Sequence, residues 1–435
     1  MARRMLPVLL ALCLAGAARA EPPLSRPGVD APELARLGEH RVGVRTLVLT
    51  QAAQPDVLAY DAKSTVAPLR DRALTVDIWY PASTSAGDKL ARYRDALPAE
   101  PPRPPAAFEI QGLAVRDAPA LKGGFPLVVV SHGYSGTPAA MTWLTENLAS
   151  KGYVVAAIHH CDPDISDRAK AVAPMLRRPL DIAFVARALR EGQGGPAMAG
   201  ADPGRLALIG YSMGGYGALT VAGAALDPAG GPVMAVPGGL LKPYARGGIR
   251  AAELTPAGLK AVVAIAPAGA GFAAWGPAGL AQLTTPLLVI GGDRDRTVGF
   301  AEGIRPVFDQ AIHAERRLLV FQNGGHAIGM GGAPATMRDQ LWNLDWFEDP
   351  VWRAERIAAV QQHMITAFLD RHVKGDATRA AYLTTDTAMS NDTRWPASGP
   401  SGYAAISPGG PGATWKGFPR NHAVGLELHQ ASAAP

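Results

Sequence analysis

The sequence predicts an α/β fold in which a mainly parallel central sheet is flanked by helices. Strand-like and helix-like segments alternate along the chain. Several strand-like runs, Leu127-Val128-Val129-Val130 above all, are apolar without alternation, as in strands covered on both faces. Apolar residues make up 48% of the 435 positions and charged residues 18%, which supplies a sizeable core and too little charge for disorder. The 49 glycines and 38 prolines follow no G-x-y period, so they belong to loops and turns and exclude a collagen-like chain.

The elements follow in order. Residues 75–80 alternate and read as an early strand closed by Pro81. Residues 126–131 form a buried strand, 142–151 a helix punctuated by Gly152, and 153–158 the next strand. Residues 180–190 read as an amphipathic helix, 206–209 as a short apolar strand, and 215–225 as a helix of small residues. Strands at 261–265, 286–290 and 317–321 complete the series, and 351–373 reads as a long last helix ending near Gly375. Residues 97–105 are proline-rich and expected to be exposed, and 227–248 form a Gly/Pro-rich excursion, a candidate border for a pocket, whose role is not legible in the sequence. No repeat of solenoid length is present.

The first twenty residues read as a secretory signal: Arg3 and Arg4 form a basic start, an apolar run follows, and Ala18-Arg19-Ala20 supplies a small-x-small cleavage site. The expected organisation is a signal peptide at 1–20, one domain at 21–375 with its core at about 75–375, and an irregular C-terminal extension at 376–435. The expected location is therefore periplasmic or extracellular, with no stable membrane span after cleavage. Much of the formal net charge of +5 comes from Arg3, Arg4 and Arg19, and no basic run elsewhere points to nucleic acid as a partner. Cleavage removes Cys13 and leaves Cys161 alone, so no internal disulfide is expected.

The chemistry begins at Gly210-Tyr211-Ser212-Met213-Gly214, a G-x-S-x-G set between a strand and a helix. Such a turn is tight and strained, needs small flanking residues, and lifts a serine hydroxyl above the sheet. A nucleophilic serine needs a base and a third group to orient it, in the chain order serine, acid, histidine. Asp293 and Asp295 follow the strand at 286–290, and His326 follows the strand at 317–321, both beyond the C-terminal ends of strands. Both aspartates are candidates for the acid; Asp295, further along the turn, is the preferred one, which leaves Asp293 to cap the turn or pair with Arg294 or Arg296. Two backbone donors are expected to face the developing oxyanion, the N–H groups of Met213 and of Tyr134 in the Ser131-His132-Gly133-Tyr134 loop. His132 precedes the serine and is expected to brace that loop.

A competing cluster, His159-His160-Cys161-Asp162-Pro163-Asp164, holds five metal-ligating residue types, but adjacent histidines on an extended chain point to opposite sides. A structural role beside the strand end is expected instead, with Asp162 bonding local backbone. Trp275, Trp342 and Trp346 are expected either to line an acyl or alcohol pocket or to fill the core.

With these segments in hand, the chain resembles α/β-hydrolases of the dienelactone hydrolase and platelet-activating-factor acetylhydrolase-like group. The likeness is carried by residues 210–215, Ser131-His132-Gly133, residues 148–157, the Gly292-Asp293-Arg294-Asp295 turn, and the early strand Val76-Asp77-Ile78-Trp79-Tyr80-Pro81, over about residues 75–375. Tyr134 with the Ser212-Met213 pair is also similar to secreted polyester hydrolases and cutinases, although those have disulfides and shorter chains. The resemblance implies an α/β-hydrolase fold and hydrolysis of carboxylic esters, small or polymeric, with Ser212 as nucleophile, His326 as base and Asp295, the aspartate of G-x-x-D, as acid. It implies no metal and no organic cofactor. Enzymes nearest to dienelactone hydrolase use cysteine where this chain has Ser212, which argues against lactone chemistry. Another acyl-transfer activity (peptidase, amidase or acyltransferase) and a non-catalytic binding protein on the same fold are the alternatives. Acyl and alcohol specificity and oligomeric state are not legible in the sequence.

Overall fold

The computed structural model describes residues 24–98, 103–392, 415–419 and 422–435; the signal-like segment, part of the 97–105 loop and much of the C-terminal extension lie outside them. The strands are β1 (Arg41–Pro55), β2 (Leu69–Ala82), β3 (Leu90–Leu97), β4 (Ala106–Arg116), β5 (Phe125–Ser131), β6 (Val154–His159), β7 (Ala201–Tyr211), β8 (Leu259–Ile265), β9 (Leu287–Gly292), β10 (Arg316–Phe321) and β11 (Leu426–Ala431). They form one sheet in the order β11-β10-β9-β8-β7-β5-β6-β2-β1-β4-β3. The six strands from β6 to β10 run parallel, as the apolar runs predicted. Their side chains, among them Val128, Ile209, Val263, Ile290 and Leu319, are buried.

The helices are α1 (Thr142–Ser150), α2 (Val172–Arg190), α3 (Met213–Val221), the short α4 (Gly231–Ala235), α5 (Gly276–Leu280), α6 (Arg305–Gln310) and α7 (Leu341–Asp345), and the long α8 (Ala354–His372). α1 packs on α8 and β6, while α2 packs on α3. α8 turns Ile357, Met364, Ile365, Phe368 and Leu369 into the core. This is the α/β-hydrolase fold, and it answers the predicted class.

The structure departs from the sequence reading in four places. The strand expected at 75–80 runs through Pro81. β6 pairs with β2 only over Thr75–Trp79, so Pro81 lies beyond that neighbour and its missing N–H costs no ladder bond there. α2 starts at Val172 and carries Pro179 inside it. The carbonyl that Pro179 leaves without an amide partner is that of Met175, and it accepts the Tyr216 hydroxyl at 2.9 Å, so a distant side chain replaces the lost bond.

The sheet also extends beyond the core expected at about 75–375. β1, with β3 and β4 beyond it, builds one edge, and β1 is antiparallel to β2 from Arg41 to Pro55. The extension expected to be irregular contributes β11, antiparallel to β10 and burying Leu426 and Leu428. The sequence signal there is one short alternation, which the surrounding Gly/Pro-rich residues mask.

Candidate active site

Parallel strands place the loops that follow them on one edge of the sheet. Ser131 ends β5, Ser212 follows β7, Asp295 follows β9 and His326 follows β10, so all four loops meet there. Ser212 sits at the point where β7 turns into α3, with φ 54° and ψ −117°, a conformation that few side-chain-bearing residues adopt. The flanking glycines are required by contact. A Cβ on Gly210 would lie 2.1 Å from the Gly214 carbonyl oxygen, and one on Gly214 would lie 2.1 Å from that of Ser131. The turn therefore closes on itself and against the end of β5.

The predicted residues come together. The Ser212 hydroxyl lies 3.0 Å from His326 Nε2, and His326 Nδ1 lies 2.7 Å from Asp295 Oδ2. The chain of contacts fixes the tautomer, since Nδ1–H donates to the carboxylate and leaves Nε2 free to accept the serine proton. Asp295 is held from its other side, where Oδ1 accepts the N–H groups of Thr297 and Val298 at 2.9 and 3.0 Å. Asp293 faces elsewhere and accepts Asn323 N–H at 2.6 Å, capping the turn as expected. Ser212 keeps 9% of its surface exposed.

Tyr134 and Met213 flank the serine. Met213 is the first residue of α3, and among the described residues its N–H donates to no protein acceptor, as expected in a first helical turn. The Tyr134 N–H is likewise without an acceptor among the described residues. A Cβ on the adjacent Gly133 would lie 3.4 Å from Ser212 Cβ, which puts this loop against the serine. The Tyr134 phenol is pushed up to about 12 by burial, then by the charges of Asp162, Asp167 and Asp164.

Three supports of the site were not visible in the sequence. Tyr211 donates its hydroxyl to the His326 carbonyl at 3.0 Å, and its ring lies 5.2 Å from the imidazole. A Cβ on Gly329 would strike that ring at 2.1 Å, so the histidine loop wraps the tyrosine closely. The buried Asp349 accepts Gly325 N–H at 2.6 Å and those of Val351 and Trp352 at 2.9 and 2.8 Å, which ties the residue before His326 to the start of α8. Gln361 on α8 donates to the Ile328 carbonyl at 2.5 Å.

The His159–Asp164 cluster is spread apart. His159 meets Asp77 at 3.0 Å, His160 bonds Ser131 and Asp181 at 2.8 and 2.9 Å, and Cys161 is exposed. Asp162 accepts Ser135 N–H at 3.1 Å and pairs with Arg178, so it ties two loops together, where a bond to its own loop was expected. Among the described residues no group of three or more His, Cys, Asp or Glu side chains is placed to hold a metal ion. His132 is buried beside the serine loop, its Nδ1 2.7 Å from the Gly133 carbonyl oxygen, in keeping with a bracing role. Trp275 is fully buried and bonds Thr220 at 2.9 Å, Trp346 is half-buried against the core, and Trp342 is exposed.

Fold and site geometry together define an α/β-hydrolase fold, and one segment of the chain is similar to polyester hydrolases. Residues 118–228, which include Tyr134, Ser212 and Met213, match the family model described as PETase: PET hydrolase-like. The chain is 38% identical over 98 residues to Cutinase 2 of Thermobifida cellulosilytica, covering 22% of this chain and 33% of that one. It is 36% identical over 98 residues to Cutinase est2 of Thermobifida alba, covering 22% and 29%. The chain thus spans about a third of the length of the curated relatives it matches. A solved ferulic acid esterase from Streptomyces cinnamoneus superposes with a TM-score of 0.50 over 81% of this chain and 93% of its own, at 21% identity, a likeness of fold.

Proposed function

We propose that the protein is a serine hydrolase of carboxylic esters, working through an acyl-enzyme. The observation that carries this reading is the chain Asp295–His326–Ser212, at 2.7 and 3.0 Å, ending on a strained serine. As the Ser212 oxygen attacks the ester carbonyl, its proton passes to His326 Nε2. The carbonyl oxygen becomes an alkoxide, and the N–H groups of Tyr134 and Met213 stabilise it. The tetrahedral intermediate collapses by breaking the C–O bond to the alcohol, which takes the proton from His326. Water then gives a proton to His326 and its oxygen to the acyl carbon, the bond to Ser212 breaks, and the acid departs as Ser212 recovers its proton. Asp295 keeps the imidazole in the accepting tautomer and stabilises the imidazolium.

The cutinase relatives and the PETase-like segment favour a polymeric ester over a small one as the substrate. Export rests on the pattern of residues 1–20; a mature chain beginning at Glu21 is the expected N-terminal sequence. Among the described residues no helix is long and apolar enough to cross a membrane. The test is a p-nitrophenyl ester series from acetate to palmitate, with the Ser212→Ala variant alongside. The wild type hydrolyses the series and the variant falls to background; equal rates for the two proteins overturn the reading.

A further inference from the structure

Ser212 and His326 account for the proton, and the remaining task is to receive the negative charge. Helix α3 aims the Met213 N–H. Tyr134 has no such element, because residues 132–134 belong to neither helix nor strand. The direction of its N–H depends on how the peptide plane between Gly133 and Tyr134 is turned. In a trans peptide the C=O and the following N–H point in opposite directions, so whatever grips the Gly133 carbonyl also aims the Tyr134 amide.

That grip comes from Arg178. Its side chain is fully buried on α2, where a guanidinium persists only if its charge is paired, and Asp162 pairs it. Nη2 donates to the Gly133 carbonyl at 2.9 Å and pairs with Asp162, while Nη1 donates to the His132 carbonyl and to Ser131 Oγ at 3.1 Å. The planar fork thus spans the end of β5 and the two carbonyls before Tyr134. A second donor reaches the same Gly133 oxygen, His132 Nδ1–H at 2.7 Å. Burial, then the charges of Arg178 and His160, hold His132 well below the usual histidine value, so it is a neutral ring with its proton available at Nδ1. The turn amide of Gly136 gives a third, at 3.1 Å. With three donors on this carbonyl, the Tyr134 N–H points away from them, and the Gly133 that precedes it lies against Ser212.

We propose that Arg178 is a positioning residue that aims the Tyr134 amide at the carbonyl oxygen of the ester as it becomes an alkoxide. The proposal rests on the ester-hydrolase reading above and adds a residue to it. Arg178 touches no substrate. Its effect reaches the reaction only through one peptide plane, so it belongs to the transition state and leaves substrate binding alone.

The test compares the wild type with Arg178→Lys and Arg178→Gly, each first checked for native folding by circular dichroism. A lysine Nζ has one centre and cannot span both carbonyls and Asp162. Arg178→Lys is expected to lower kcat on p-nitrophenyl butyrate about 10- to 100-fold, with KM within about threefold, since a misaimed donor loses part of the 10²–10³ that one oxyanion donor is worth. The inhibition constant of a trifluoromethyl ketone, which adds to the serine and forms an oxyanion, is expected to rise by the same factor, while that of the matching methyl ketone stays level. Millimolar guanidinium is expected to restore turnover to Arg178→Gly and to leave Arg178→Lys unchanged. Should the glycine variant not fold, the lysine variant decides. A folded Arg178→Lys whose kcat and trifluoromethyl ketone affinity stay within twofold of wild type, or whose loss appears in KM alone, overturns the proposal while the ester-hydrolase reading stands. A wild type without Ser212-dependent hydrolysis of p-nitrophenyl butyrate overturns both.

Discussion

Asp295→Asn is the most informative single change to the proposed proton relay. In the wild type, Asp295 Oδ1 accepts two backbone N–H groups at 2.9 and 3.0 Å, and Oδ2 accepts His326 Nδ1–H at 2.7 Å. An asparagine fits the same space. Its single carbonyl oxygen is claimed by the Thr297 and Val298 amides, so its NH2 group must face the imidazole. Two donors then meet, and the ring escapes by moving its proton to Nε2, the atom that has to accept from Ser212. The expected loss is about 10⁴ in kcat, or about 5.5 kcal/mol of transition-state stabilisation, with KM little changed. Steady-state hydrolysis of p-nitrophenyl butyrate reads it, with circular dichroism as the folding control. Asp293→Asn is the matched control: Asp293 caps Asn323 N–H at 2.6 Å and makes no contact with the ring, so kcat should stay within about threefold. A folded Asp295→Asn within tenfold of wild type, or an Asp293→Asn that loses as much, refutes the reasoning.

Three further outcomes are expected. Tyr211→Phe removes the bond to the His326 carbonyl and keeps the ring; it should cost about 1 kcal/mol of stability and a few-fold in kcat, and a kcat loss above about 100-fold contradicts a supporting role. Asp349→Ala strips the acceptor from the Gly325, Val351 and Trp352 amides, of which that of Trp352 is buried, and should destabilise by about 1–3 kcal/mol in urea titration, whereas a change below about 0.5 kcal/mol refutes the tie between the histidine loop and α8. Buried His132 and His160 are held well below the usual histidine value, and His363 is pushed down to about 3, in each case first by burial. Their folded values lie below their unfolded value near 6.5, so unfolding takes up protons as the pH drops through 6.5. Stability should therefore fall from pH 7 to pH 5, each histidine contributing up to about 1.4 kcal/mol per pH unit, and His363→Gln should reduce the slope; a urea midpoint that stays flat or rises over this range contradicts it.

The parts of the fold readable in the sequence are those whose cause is local. Apolar runs such as Leu127–Val130 mark strands buried on both faces, and Gly210 and Gly214 mark a turn that tolerates no Cβ. The order serine, acid, histidine and their positions beyond strand ends point to Ser212 and His326 and leave Asp293 and Asp295 as candidates for the acid, with Asp295 preferred; the fold brings Ser212, His326 and Asp295 within hydrogen-bond reach. What stayed hidden depends on partners far apart in the chain. β1 buries Val42, Val44 and Leu49 but leaves the apolar Val48, Ala52 and Ala53 exposed beside Thr46 and Thr50, so its pairing with β2 leaves little pattern. The helix through Pro179 is possible because Tyr216, 37 residues later, caps the orphaned Met175 carbonyl. Arg178, Tyr211 and Asp349 act on backbone groups of loops that only the folded chain sets beside them.

The central claim is that one hydroxyl is made nucleophilic by one imidazole. The most direct measurement is covalent labelling with a fluorophosphonate, followed by peptide mass spectrometry and a rate comparison with His326→Ala. The account predicts a single adduct on Ser212, formed at least about 10³-fold more slowly in the histidine variant. An unlabelled native protein, an adduct on another residue, or equal labelling rates in the two proteins contradicts it.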